Sequence, residues 1–185
     1  MSELELALLP RLQCPCEGPC VIAEQLGFEQ FGRYGGTVHP DEVMIPLYKN
    51  TAEAKAAQPQ ADVLLNFASF RTAYDVTMEA LNMGGFKSIM ITAEGIPERL
   101  ARTMNQAARD KGVIVIGPAT VGGISPGAFK IANVGGTIEN IVNSKLHRAG
   151  SCGLVTRSGG LFNELSNIIA INADGIAEGV AIGGD

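Results

Sequence analysis

Two apolar rhythms alternate along the middle of the chain. Predominantly apolar runs occur at Val43 to Pro46, Ala61 to Ala68, Ser88 to Thr92 and Val113 to Ile116. Such runs suit strands buried on both faces of a parallel sheet. Between them lie stretches with helical spacing: Thr51 to Ala57, Thr72 to Asn82, and a helix opened by Pro97 that runs to Lys111. Thr51 is read as a helix N-cap, and Gly84-Gly85 and Gly112 are read as helix stops. Strand, helix, strand, helix, strand with short loops predicts an α/β fold with right-handed crossovers. Ligands of such sheets sit at the carboxyl ends of the strands. The loops leaving those ends are Ser69-Phe70-Arg71, Ala93 to Ile96 and Gly117 to Gly127.

The rhythm breaks at both sides of this block. Residues 1–40 carry little pattern, with Val21 to Phe28 read as a short helix. Gly117 to Gly127 is dense in turn formers and reads as a connection between domains, followed by a short strand at Phe129 to Asn133 and a helical turn at Thr137 to Asn143. From Gly150 the rhythm restarts with a strand at Cys152 to Thr156, a helix at Leu161 to Ala170 and a strand at Ala177 to Asp185. The expected division is therefore 1–148 and 149–185. Two strands and one helix cannot bury a core alone, so the chain reads as one part of a larger protein.

The joint at 156–164, T-R-S-G-G-L-F-N-E, carries the clearest chemistry. A strand that runs through glycines into a helix leaves unpaired backbone N–H groups at the positive end of the helix dipole. Small residues let an anion approach those groups. Ser158 suits the N-cap position and adds a hydroxyl. The joint is a candidate phosphate or carboxylate site; the alternative is a strand–turn–helix corner packed tightly by its glycines.

Composition narrows the class. Of 185 residues, 46% are hydrophobic and 18% charged, which is a globular composition. With 14 basic and 19 acidic residues the net charge is −5, and no basic cluster occurs, so a nucleic-acid partner is not expected. No uninterrupted apolar run approaches about 18 residues, and Glu3 and Glu5 do not suit a signal peptide, so no membrane partner is expected and the compartment is expected to be cytoplasmic. Cys14, Cys16 and Cys20 lie close together without a fourth ligand at zinc spacing. They and Cys152 are expected to be reduced thiols, with no metal site. His39 is in no zinc-like pattern, and His147 is expected to be an exposed polar residue.

Four segments together carry a resemblance: I-T-A-E-G-I-P at 91–97, G-P-A-T-V-G-G-I-S-P-G-A-F-K-I at 117–131, T-R-S-G-G-L-F-N-E at 156–164 and G-V-A-I-G-G-D at 179–185. They resemble the succinyl-CoA synthetase α-subunit superfamily. Adding V-L-L-N-F-A-S-F-R-T-A-Y-D at 63–75, the wording is closest to the ATP-citrate lyase family; the succinate enzymes have cysteine and proline-glycine near 119–123 and threonine in place of Gly160. The resemblance covers residues 40–185. It implies a Rossmann-like CoA-binding domain (1–148, atypical at its N-terminal end) followed by the start of a flavodoxin-like ligase domain (149–185).

The resemblance also implies a function: ATP- and CoA-dependent cleavage of citrate to acetyl-CoA and oxaloacetate, through phosphohistidine, citryl phosphate and citryl-CoA. Under it, Ser158, Gly159, Gly160 and Asn163 bind phosphate or citrate, and Ser69, Arg71, Thr92, Ala93 and Glu94 bind CoA. Arg71 has a second reading, an ion pair with Asp75, and Glu94 a second reading as a solvated loop acid. The phosphorylated histidine is expected beyond residue 185, so no catalytic residue is assigned here and the segment alone is expected to be inactive. ATP and Mg2+ are expected to be bound mainly by parts outside the chain. The expected partners are citrate, a nucleotide-grasp part and a citryl-CoA lyase part on the same or another chain, in a homo- or hetero-oligomer. The runner-up is a citryl-CoA or succinyl-CoA synthetase α subunit, and outside catalysis a truncated CoA-binding module.

Overall fold

The computed structural model describes residues 21–23 and 48–184. Two four-stranded sheets follow one another along the chain. The first has the order β1-β2-β3-β4, all parallel, built from Val21–Ala23, Val63–Asn66, Ser88–Ile91 and Ile114–Ile116. Helices α1 (Thr51–Ala57), α2 (Ala73–Met83) and α3 (Glu98–Lys111) precede β2, β3 and β4. Strand order equals chain order, so right-handed crossovers bring all three helices to one face. A single apolar core joins them to the strands, centred on Leu64, Ile89, Ile91, Leu81 and Met104.

The structure trims or changes several expectations. Val21–Ala23 is a strand paired in register with Val63 to Leu65, not the start of a helix. Its β-branched pair Val21-Ile22 supplies the backbone partner that the edge of β2 needs in a parallel sheet. The remainder of that expected helix, and the expected strand at Val43 to Pro46, lie outside the described residues, as do Cys14, Cys16, Cys20 and His39. The cap of α1 is Asn50 rather than Thr51, because the Asn50 side chain accepts from the Glu53 N–H at 2.8 Å. Pro97 stands at the N-cap of α3, one position before the first helical residue, and Gly112 closes that helix in the left-handed conformation at φ 67°.

The second sheet has the order β6-β5-β8-β7. Its strands are β5 (Gly122–Ser125), β6 (Phe129–Ile131), β7 (Cys152–Thr156) and β8 (Ile176–Ala181), with α4 (Ile138–Asn143) and α5 (Gly159–Asn172) between them. β7 and β8 are parallel, and β5 runs antiparallel to both β6 and β8. The segment that read as a turn-rich connection thus supplies a hairpin to this sheet, and the expected division at 148/149 falls inside it. The hairpin and the segment that follows it provide what two strands and a helix lacked: Ile124 from β5, Val134, Ile141 from α4 and Leu146 join Leu154, Phe162 and Ile176 in one core. Phe162, fully buried, lies over β8, where a Cβ on Gly179 would stand 2.6 Å from its ring.

Candidate functional site

The carboxyl ends of β3 and β4 meet those of β7 and β8 along one seam. Gly117 N–H donates across it to Ile182 O at 3.0 Å, while Ala119 N–H to Ala93 O at 2.9 Å and Ile182 N–H to Thr156 O at 2.7 Å tie the strand ends on either side. Thr120, 2% exposed, is the pivot of the seam. Its N–H donates to Ile91 O at the end of β3 (3.3 Å), and its hydroxyl donates to Ala181 O at the end of β8 and accepts from the Gly122 N–H at 2.9 Å. Contact is close enough to exclude side chains. A Cβ on Gly183, whose φ is +95°, would stand 1.9 Å from Pro118 O. A Cβ on Gly159, the first residue of α5, would stand 2.4 Å from a methyl of Val121. An open cleft of about 400 Å³ runs along the seam, lined by Gly95, Ile96, Glu98, Arg157 and Gly184.

On the second-sheet side, Ser158 is the N-cap of α5, as the sequence suggests. Its hydroxyl accepts from the Leu161 N–H at 3.3 Å, while Thr156 Oγ1 donates to Ser158 O at 2.8 Å and fixes the turn. Gly159 is half-buried against Val121 and Gly160 is exposed. A Cβ on Gly160 would meet only Ser158 Oγ, at 3.9 Å, so the helix start is open there. Asn163, one turn on, is half-buried, and its Oδ1 is sealed from solvent without a hydrogen-bond partner. Facing it is the turn Gly135-Gly136, both with positive φ, where a Cβ on Gly136 would stand 3.7 Å from Asn163 Nδ2.

That turn is braced from two directions. Lys130 Nζ donates to Ala132 O (2.8 Å) and Val134 O (3.1 Å), and burial pushes its pKa down. Asn140 Nδ2 donates to Gly135 O at 2.8 Å, and Asn140 Oδ1 accepts from Asn167 Nδ2 at 3.2 Å, tying the turn to α5.

On the first-sheet side the expected CoA residues divide. Asn66, fully buried at the end of β2, donates to Ala73 O and Thr77 Oγ1 and accepts from the Ala68 N–H, which shapes the turn into α2. Ser69 and Arg71 lie exposed on that turn. The Arg71 guanidinium stacks 4.8 Å over the Phe70 ring. Thr92 and Ala93 are engaged in the fold: Thr92 Oγ1 donates to Asn66 O at 3.2 Å, and Ala93 O takes the seam bond from Ala119. Glu94 is exposed, next to Gly95 in the cleft. The loop after β3 thus reaches the cleft through Gly95 and Ile96, opposite Arg157, which leads into α5; Thr92, Ala93 and Glu94 precede that lining, and Ser69 and Arg71 stand at the neighbouring strand end.

Two further residues differ from expectation. His147 is half-buried rather than exposed, with a buried, unpartnered Nδ1. It packs where the hairpin turns, since a Cβ on Gly127 would stand 3.0 Å from His147 O. Arg157 was not singled out by the sequence. Its signal was its place directly before the N-cap serine, but its importance comes from Gly184, whose carbonyl its Nη2 reaches at 2.7 Å. Cys152 is a free thiol, half-buried. Among the described residues no group of His, Cys, Asp and Glu is arranged to hold a metal ion, and no helix is long and apolar enough to cross a membrane.

A parallel sheet joined by its strand ends to a second, mixed sheet, with a glycine-rich helix start at the joint, defines an α/β module built of two sheets. Comparison narrows this. No family model matches the chain. It is 58% identical over 144 residues to ATP-citrate synthase of Homo sapiens, covering 78% of this chain and 13% of the relative. It is 53% identical over 152 residues to the probable ATP-citrate synthase subunit 1 of Neurospora crassa, covering 82% and 22%.

Among solved structures, ATP citrate lyase from Methanothrix soehngenii in complex with citrate and coenzyme A matches with a TM-score of 0.73 and 55% identity, over 77% of this chain and 23% of that one. A dinucleotide-forming acetyl-coenzyme A synthetase of Ca. Korarchaeum cryptofilum, at 18% identity and a TM-score of 0.59, shares the fold. Over the matched residues the chain belongs to the ATP-citrate lyase family. It spans between 13% and 26% of the length of the curated relatives it matches.

Proposed function

We propose that these residues work as a segment of an ATP-citrate lyase, in ATP- and CoA-dependent cleavage of citrate to acetyl-CoA and oxaloacetate. The observation that carries the reading is the seam. It brings the loop after β3, through Gly95 and Ile96, and the strand end that leads into the Ser158–Gly159–Gly160 helix start, through Arg157, to one cleft, and this reading places the meeting of thiol ester and acyl phosphate there. The N–H groups at the start of α5 and the helix dipole stabilise an oxyanion or phosphoryl oxygen that is held there. The missing side chain of Gly160 leaves room for the approach of that anion, and Gly159 presses the helix start against Val121 so that it does not shift. Asn163 offers an unpaired acceptor, its Oδ1, which suits a hydroxyl of the ligand rather than an anionic oxygen. In phosphoryl and acyl transfer the fixed N–H donors of the helix start contribute by positioning and by charge stabilisation.

In this reading Ser158, Gly159, Gly160 and Asn163 contact the phosphate or citrate. Thr92, Ala93 and Glu94 line the CoA side, and Ser69 and Arg71 extend it at the next strand end. The phosphorylated histidine, the ATP- and Mg2+-binding part and the citryl-CoA lyase part belong to other segments or chains of a cytoplasmic oligomer. The test uses the complete gene product that carries this segment, with citrate, CoA and ATP supplied and acetyl-CoA and oxaloacetate measured. Formation of both products is expected, together with ATP-dependent phosphorylation on histidine. Accumulation of citryl-CoA without oxaloacetate, or formation of succinyl-CoA when succinate replaces citrate, would reassign the segment to a synthetase. CoA binding with neither phosphorylation nor turnover would reassign it to a non-catalytic module.

A further inference from the structure

We infer that Arg157 is the anion-holding residue of the seam cleft, taking a two-oxygen anionic group of the ligand on its guanidinium. The inference rests on the functional reading above and adds a residue to it. Arg157 lies between the end of β7 and the N-cap of α5, so its backbone is fixed at both sides. Its side chain is exposed and lines the cleft together with Gly95 and Ile96 from the loop after β3. It therefore stands where the first-sheet loop and the start of α5 share one opening.

The hydrogen bonds leave capacity for this role. A guanidinium has five N–H donors in a planar fork, and its two-donor edge matches a carboxylate or phosphoryl group. Arg157 uses one donor on the carbonyl of Gly184 at 2.7 Å. That bond directs the side chain toward Gly184 on the cleft lining and costs none of its charge. The carboxylate that shares the cleft, Glu98, is ion-paired with Arg102 one helical turn away, which leaves the Arg157 charge for a ligand. A tie to Gly184 alone would need only a neutral donor. A cation at this spot, in a chain with net charge −5, is the group an anionic ligand would select.

Two anions of the proposed reaction fit this chemistry, a citrate carboxylate and a phosphate of CoA, and the experiment separates them. In the complete gene product, Arg157→Gln keeps an N–H donor for Gly184 and removes the charge, while Arg157→Lys keeps the charge and loses the fork. A KM for citrate raised about 10- to 100-fold in Arg157→Gln, with partial recovery in Arg157→Lys and an unchanged Tm, is the expected result. A rise in the KM for CoA instead would place the CoA phosphate on the same guanidinium.

Equilibrium binding of citrate and of CoA to the same variants gives a readout that needs no turnover. Unchanged KM and unchanged binding for both ligands in Arg157→Gln would overturn the inference and leave Arg157 a tie to Gly184. A wild-type protein that binds citrate but forms no acetyl-CoA would overturn the lyase reading instead, while the binding comparison still decides the role of Arg157.

Discussion

Thr120 offers a quantitative test of the seam. Thr120→Val keeps the shape of the side chain, so no cavity term enters. It removes the donor to Ala181 O and the acceptor of the Gly122 N–H, and both Thr120 and Gly122 are buried. The net loss of one hydrogen bond is about 1 kcal/mol, and a buried N–H left without a partner adds about 1–3 kcal/mol, giving about 2–4 kcal/mol in all. Thr120→Ser keeps the hydroxyl and removes one methyl group, at a cost of about 1 kcal/mol. Urea unfolding followed by circular dichroism gives the two differences. Amide hydrogen exchange locates them: Gly122 should lose protection in the valine variant and keep it in the serine variant. A valine variant within about 0.5 kcal/mol of wild type, or a serine variant as damaged as the valine one, would show that the hydroxyl does not hold the two sheets together.

Two more outcomes follow from the same geometry. Gly183→Ala should destabilise by more than about 2 kcal/mol, since backbone conformation and the Pro118 carbonyl both oppose a Cβ, whereas Gly112→Ala, also at positive φ but with nothing within 4 Å, should lose about 1 kcal/mol; thermal unfolding of the pair compares them. Asp174 accepts from Ser151 Oγ at 2.6 Å and Ser151 N–H at 3.0 Å, and these bonds, the side-chain one foremost, hold its carboxyl below the usual carboxylate range. Its contribution is therefore present above that range and lost as pH falls through the lowered pKa, so Tm measured down an acid series should fall less in Asp174→Asn than in wild type.

The first sheet was legible because local and tertiary preferences agree there. Runs such as V-L-L-N and S-I-M-I are rich in apolar residues, which the helix-covered face buries, and glycines mark the helix ends. Of the hairpin, Phe129–Ile131 was legible as a strand and Gly122–Ser125 was not. G-G-I-S between proline and glycine looks like a turn, and it becomes a strand because neighbouring backbones come too near for side chains: a Cβ on Gly122 would stand 2.0 Å from Ile131 O, and one on Gly123 3.1 Å from Gly179 O. The Ser158 cap was readable because capping is a contact three residues long. Arg157 was not, because Gly184 reaches it only through the register of β7 on β8, a relation 27 residues apart in sequence. Asn50 took the cap from Thr51 for a local reason, the reach of its carboxamide, which composition alone does not rank.

The hairpin has a consequence for any attempt to separate or recombine these pieces. β8 is an interior strand, flanked by β7 on one side and β5 on the other. A fragment or fusion that begins at the apparent restart near Gly150 would strip β5 away and turn Ile176–Ala181 into a naked edge, which invites pairing with another chain. A transplantable version of the second unit has to start ahead of Gly122. Such a piece would still lack the Ile91 and Ala93 carbonyls that anchor Thr120 and Ala119, so its cleft would have only one wall.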